Sequence, residues 1–403
     1  MSSFFTKLFI VGGIIILALA SALYFSTEYK YQVTLDKLNA LTQIDIQKVD
    51  IITGFQSWYE IYKQRNIPKR EVLTMNLEQK IGQMLFVGIN GQTFSNSTQT
   101  ILDTYNVGGI YLSNSNISDL ATTKRFNEDL QKNSKIKLFI STDDDGGAVR
   151  KVPWDQTNHL YGEGSTGVSY YFLERNNTPK ISYGYGLSKG QSLNEGGFNV
   201  NFSPITEGLL GSTSYLKMQG WDRNFDKWIP LAEQIILGQN ENISSTMKYF
   251  PGTGTFQLDP NKSFQISEMT LDELKSGDLK PYFQIANNSD FVMTSAAKYS
   301  KVDDNQVTFS KKFVTDMLKN EINYSGIVIS SNLSAEVFKD EAEKYTKTVI
   351  AGHDMLFLTD PTQIEVAFEQ IKLGVENGEV SEERLDNAVE RVLRVKYKKG
   401  LIN

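Results

Sequence analysis

Apolar residues recur along this chain in short unbroken runs set between stretches of helical period. From residue 76 onward eight runs stand out: 84–89 (MLFVGI), 108–113 (GGIYLS), 136–142 (IKLFIST), 199–205 (NVNFSPI), 243–250 (ISSTMKYF), 290–296 (DFVMTSA), 326–331 (GIVISS) and 353–359 (HDMLFLT). Each has the length of a buried strand. Between most of them lie segments with apolar residues three and four apart, at 120–133, 228–242, 311–322 and 335–351. Such spacing puts the apolar side chains on one helical face. Strand and helix alternating eight times predict an α/β chain with a single (β/α)8 TIM-type barrel over 76–403. A doubly wound open sheet is the alternative, but no G-x-G-x-x-G follows the first run.

The pattern before residue 76 is different. Residues 8–25 (LFIVGGIIILALASALYF) carry no charge. A helix of that length spans about 27 Å, close to the hydrocarbon core of a bilayer. Lys7 precedes it, and Glu28 and Lys30 follow. The lysine on the short side favours a cytoplasmic N-terminus and an exported remainder. Residues 1–26 are therefore expected to be a transmembrane anchor, with the rest outside the cytoplasm. The alternative is a signal segment cleaved near Ala18-Leu19-Ala20, releasing a secreted protein. Residues 27–75 continue with helical spacing from Leu35 through Phe55 and Trp58 to Ile61. They predict a helical stalk that ends at Pro68 and the polar run Lys69-Arg70-Glu71.

Composition narrows the chemistry. The 403 residues carry a net charge of −6 with no basic stripe, so nucleic-acid binding has no electrostatic support. There is no cysteine, which removes disulfides, thiolate nucleophiles and Cys-ligated zinc. No cofactor is expected, and no particular protein partner is indicated. The two histidines are His159 and His353, so a mechanism needing two imidazoles would have to use both. Polar residues gather at the ends of the apolar runs: Asp143, Asp144 and Asp145; Thr206 and Glu207; Lys248; Ser330, Ser331 and Asn332; Asp360. In a barrel these positions converge on the C-terminal mouth, where they make a polar ligand pocket.

Several segments, in order, resemble glycoside hydrolase family 3, in its β-N-acetylhexosaminidase branch. They are LEQKIGQMLFVG (77–88), STDDDGGAVRKVP (141–153), NVNFSPITE (199–207), GWDRNF (220–225), KYFPGTG (248–254), SGIVISSNL (325–333), AGHDMLFL (351–358) and the closing GEVSEERLDNAVERVLRVKYKKGL (378–401). The resemblance implies a barrel and a retaining attack on terminal N-acetylglucosamine, with peptidoglycan-type amino-sugar glycans as ligands. One carboxylate attacks the anomeric carbon and a second group protonates the leaving oxygen. In this branch the second group is an Asp-His dyad after Phe-Pro-Gly, and the nucleophile is an Asp ending strand seven. Here Ser331 stands at the nucleophile position, Asp259 matches the dyad aspartate, and Asn261 replaces its histidine. A hydroxyl needs a base to attack, and an amide cannot shuttle a proton as imidazole does. Among sugar contacts, Asp143, Lys248, Asp222 and Arg223 match the family. Tyr249, Thr253 and Ala296 replace histidines, and Ala148 replaces an arginine.

Each of these positions has a plainer reading. The three aspartates 143–145 could hold a divalent cation, grip sugar hydroxyls, or form an ordinary loop-end cluster. Lys248 could touch ligand or pair across the mouth with Asp143 or Glu207. Asp222-Arg223 could brace a turn, and Asp259 could be a solvated loop acid. His353 reads as packed core and His159 as part of a polar insertion. Trp154, Tyr161, Tyr170 and Tyr171 could stack on sugars or fill that insertion's own small core. The expectation is a membrane-tethered family-3 homologue that acts on or binds cell-wall amino sugars, with weak or lost hydrolysis. The alternatives are an inactive glycan-binding or scaffold protein, or an anchored partner whose mouth is plugged by residues 154–185. Retained hydrolysis would need another carboxylate, such as Asp143, Glu207 or Glu336.

Overall fold

A computed structural model describes residues 48–146, 149–154, 178–209, 214–216 and 219–402. The expected anchor at 1–26, residues 27–47 of the stalk, Ala148, His159, Tyr161, Tyr170 and Tyr171 lie outside the described residues. Among those described, no helix is long and apolar enough to cross a membrane. The chain divides into two compact units, residues 1–66 and 67–403. The described part of the first lies in the helix Lys48–Thr74, where the rings of Trp58 and Tyr62 stack at 5.6 Å, one helical turn apart. Pro68 does not end that helix as expected; it lies inside it. Past the proline, Val72 is buried in the main core with Met75 and Leu77 packed against the same cluster. Burial there outweighs the hydrogen bond that the proline removes.

The second unit is built on parallel strands β1 (Leu85–Gly88), β2 (Gly109–Tyr111), β3 (Phe139–Thr142), β4 (Val200–Asn201), β5 (Thr246–Phe250), β7 (Phe291–Thr294), β9 (Ile327–Asn332) and β10 (Met355–Leu358). Two further short strands, β6 (Ile266–Ser267) and β8 (Lys298–Tyr299), pair with each other in a separate ribbon. The order of the large sheet is β4-β3-β2-β1-β10-β9-β7-β5. Parallel bridges Val200–Ser244 and Ile205–Lys248 bring its two edges together. The result is a nearly closed eight-stranded parallel barrel whose strands neighbour one another in chain order, as the eight apolar runs predict.

Alternation along the strands sorts the side chains. On β9, Ile327 and Ile329 point into the barrel with Phe86, Phe139, Phe291 and Met355, whereas Val328 joins the outer shell under the helices. The barrel interior is a packed core, and Val392 and Val395 of the helix Glu382–Lys398 belong to it. That helix starts on Ser381, whose hydroxyl accepts the Arg384 N–H, and has Glu382 and Glu383 in its first turn and Lys396 and Lys398 in its last. This charge order matches the helix dipole.

Two predicted elements change form. The segment expected as one helix over 335–351 is a short turn, Glu336–Phe338, followed by a helix, Lys344–Ala351. Glu343 between them has φ of 55°, and the Lys344 ammonium donates to the Leu333 carbonyl at 2.8 Å. Tucking that amine inward turns the chain where a continuous helix would run outward. The fifth strand starts at Thr246, three residues into its apolar run. The side chains of the two serines before it reach neighbouring connections: Ser244 donates to Asp290 and Ser245 to Asn240.

Candidate functional site

A cavity of about 540 Å³ opens at the C-terminal ends of the strands. Its floor is aromatic. Tyr111 and Phe202 lie parallel with ring centroids 5.9 Å apart, and Phe357 meets each of them edge-on at 5.1 Å. Asp143, Lys248 and Tyr249 form one side, and Asp259, Asn261 and Lys262 come from the loop after β5. Asn332, Glu336 and Thr359 complete the rim from the ends of β9 and β10. Polar walls over an aromatic floor suit a sugar, which has C–H faces and hydroxyl edges.

The three consecutive aspartates divide their tasks. Asp143 faces the cavity: its Oδ1 accepts the Tyr111 hydroxyl at 2.5 Å and lies 3.5 Å from the Lys151 ammonium. Asp144 turns away and holds its own loop, accepting the N–H groups of Lys151 and Val152 at 2.8 and 3.1 Å. Asp145 is buried against Lys248, whose Nζ lies 3.0 Å from one carboxylate oxygen and 3.1 Å from the other. The partner of Lys248 is thus neither Asp143 nor Glu207, as expected, but Asp145. Burial pulls the Lys248 pKa down, and Asp145, with Tyr249 and Asp143, pulls it back above its ordinary value, so the ammonium stays charged. Among the described residues no cluster of carboxylates and imidazoles could hold a metal.

Glu207 lies beneath the cavity rather than in it. It accepts the N–H groups of Tyr249, Thr253 and Gly254 at 2.7, 2.5 and 2.9 Å, which fixes the KYFPGTG turn from below. Burial pushes its carboxyl up to about 8, against the pull of those backbone donors. Burial likewise pushes the Tyr249 phenol up to about 12. Among the described residues, the Asp259 carboxylate accepts amide donors, the Asn261 N–H at 2.9 Å and its Nδ2 at 3.3 Å. Ser331 is buried, its Oγ 2.8 Å from Thr308 Oγ1, and it does not line the cavity. Asp222 and Arg223 lie in a separate surface hollow with Glu273 and Lys280. Arg223 pairs with Asp278 at 2.9 Å and donates to the Gly208 carbonyl at 3.0 Å, which makes this turn a brace.

Residues 76–395 match the Glycosyl hydrolase family 3 N terminal domain. The chain belongs to glycoside hydrolase family 3. It is 22% identical over 329 residues to Beta-hexosaminidase A of Pseudoalteromonas piscicida, covering 74% of this chain and 54% of that protein. The chain therefore spans about half the length of that relative. It is 24% identical over 285 residues to Beta-hexosaminidase of Hydrogenovibrio crunogenus, covering 69% of this chain and 79% of that one. Among solved structures, a glycoside hydrolase family 3 beta-N-acetylglucosaminidase from Paenibacillus sp. superposes with a TM-score of 0.76 at 23% identity, over 81% of this chain and 63% of that chain. Beta-N-acetylhexosaminidase from Beutenbergia cavernae gives 0.72 at 20% identity, over 80% and 99%. At such identities the solved structures speak for the shared fold.

Set on the family-3 barrel, the expected site residues separate into groups. Asp143, Lys248, Tyr249, Asp259 and Asn261 meet at the mouth; Ser331, Asp222 and Arg223 do not. Thr253 and Ala296, expected at histidine positions, lie inside the fold: the Thr253 hydroxyl is buried on Tyr215 and Glu207, and Ala296 is packed in the core. His353 is core as expected: Thr294 Oγ1 lies 2.9 Å from its Nε2, and burial lowers its pKa to about 3. Trp154 packs on the core and donates to the Ser192 carbonyl, so it stacks on its own fold. Sequence reasoning missed the floor of Tyr111, Phe202 and Phe357. Period-two alternation within the second, fourth and eighth apolar runs is the signal that could have found it.

Proposed function

We propose that this family-3 barrel binds a terminal amino sugar of a cell-wall glycan at its mouth and hydrolyses it weakly or not at all. The observation that carries this reading is the make-up of the mouth, polar groups over an aromatic floor with no imidazole among its lining residues. Asp143, Lys248 and an aromatic floor remain, whereas an amide, Asn261, stands beside Asp259 and β9 supplies no carboxylate. Retaining hydrolysis needs a nucleophilic carboxylate and a second group that protonates the leaving oxygen, in most families a carboxyl about 5–5.5 Å away. A second reading, residual hydrolysis, draws on Asp143, Asp259 and Glu336, which line the same cavity. Against it, Asp143 is engaged by Tyr111 and Lys151, and Glu336 by Lys339. The apolar segment 8–25 supports tethering outside the cytoplasm, and fractionation of cells expressing the chain with and without residues 1–26 tests that part.

Calorimetric titration with N-acetylglucosamine oligomers tests the binding itself. Saturable binding is expected, weakened about tenfold or more by Asp143→Ala, since a hydrogen bond to a charged group contributes about 1.5–3 kcal/mol. No binding by the unmodified protein would refute a glycan site and favour a scaffold.

A further inference from the structure

We infer that the mouth selects a hexosamine whose amine is free and protonated over one that is N-acetylated, and that Asp259 and the Asn261 carboxamide oxygen receive the ammonium. The inference rests on the reading of the mouth as a glycan site and names the class of sugar that site prefers. It starts from which charges in the cavity are already matched. Three carboxylates line it: Asp143, Asp259 and Glu336. The Lys151 ammonium lies 3.5 Å from Asp143, and Glu336 pairs with Lys339. Asp259 has no ion pair among the described residues; its carboxylate meets two neutral donors of its own loop, the Asn261 N–H and Nδ2. The cations on the same walls do not serve it. Lys248 is held by both oxygens of Asp145. Lys262 is exposed and makes no ion pair with Asp259, three residues away.

Asn261 adds a second acceptor in want of a donor. Its Oδ1 is buried and has no hydrogen-bond partner among the described residues. Turning the amide over does not relieve it, because that would set Oδ1 instead of Nδ2 against the Asp259 oxygen, 3.3 Å away. A buried acceptor without a donor is costly, and Asn261 lines the cavity, so a bound ligand can supply the missing hydrogen. A carboxylate without a cation and a carboxamide oxygen without a donor thus stand two residues apart on one wall. An ammonium brings three N–H donors, a positive charge and no acceptor. An acetamide brings one N–H together with a carbonyl oxygen, which these two oxygens would repel. A hydroxyl brings one hydrogen and no charge.

The test uses the full chain and three β-1,4-linked trisaccharides, of glucosamine, N-acetylglucosamine and glucose, titrated calorimetrically at about pH 6.5, where a primary amine is protonated. The unmodified protein is expected to bind the glucosamine trisaccharide about tenfold or more tightly than either of the others, the gain from one charge-assisted hydrogen bond. Asp259→Asn should bring that ratio close to one. Asn261→Ala should lower it about fivefold, and serves as the second arm if Asp259→Asn does not fold. Asp272→Asn removes an exposed acid on the helix Leu271–Ser276 and should leave the ratio within about twofold. Equal affinity for the three sugars overturns the inference. So does a preference that survives Asp259→Asn, or one that Asp272→Asn reduces as much, which would mark a general attraction of an acidic protein for a cationic sugar. Absence of binding to all three brings down the glycan-site reading first. Binding of N-acetylglucosamine with no preference for the free amine leaves that reading standing and overturns this inference alone.

Discussion

Replacing Lys248 with Met tests how the mouth is held together. The Lys248 and Asp145 side chains are 1% and 3% exposed, and the ammonium contacts both carboxylate oxygens. Met keeps most of the apolar stem and removes the charge. Breaking a buried pair by removing one partner costs about 3–5 kcal/mol, because the other charge is left without compensation. The abandoned Asp145 can escape by taking a proton. Burial, the leading influence on it, already pushes its carboxyl up, and nearby Asp143 pushes the same way. A carboxyl raised in the folded state favours folding in acid and loses that contribution as pH rises. The deficit of Lys248→Met relative to the unmodified protein should thus be small near pH 4 and full by pH 8. Asp145→Asn in the same background should recover most of the loss at pH 8 by removing the stranded charge. Urea unfolding followed by circular dichroism at both pH values, for both single variants and the double, gives the coupling. A Lys248→Met deficit below about 1 kcal/mol at pH 8, or one that ignores pH, would refute a buried pair as the brace of this mouth.

Other consequences can be measured in the same way. His353 stays neutral when folded, its pKa lowered to about 3 by burial, so its contribution is full above about pH 6.5 and is lost as pH falls toward 3. At most about 5 kcal/mol is involved, and His353→Gln should flatten the acid limb of the stability curve. Gly82 packs so closely on the next connection that an added Cβ would lie 1.8 Å from the Tyr105 carbonyl. Gly82→Ala should lower the unfolding midpoint by an amount equivalent to about 1–3 kcal/mol with no change in denaturant slope.

Much of the architecture was legible because buried parallel strands leave a direct mark: continuous apolar runs of strand length between amphipathic segments. All eight runs contain barrel strands in chain order. What stayed hidden depends on contacts between distant residues. Nothing local in Lys48–Thr74 says that a helix will pass through Pro68; the burial of Val72 decides it. Nothing in the acidic stretch before Lys344 announces that its amine will fold back onto Leu333. At the mouth, matching residue types placed Asp143, Lys248, Tyr249, Asp259 and Asn261 together, as they are. It could not see that Asp145 would take Lys248, that Arg223 would be spent on Asp278, or that a one-residue slip between β9 and β10 would bury Ser331. Register belongs to the strand pair, and a single strand's sequence does not carry it.

The most direct measurement is turnover of a chromogenic N-acetyl-β-glucosaminide by the unmodified purified chain, read beside its affinity for N-acetylglucosamine oligomers. Saturable binding with release of chromophore no faster than the buffer blank is the expected pair of results. Release well above the blank, abolished by Asp143→Asn, Asp259→Asn or Glu336→Gln, would show that a carboxylate at this mouth still acts on the glycosidic bond and would contradict the account.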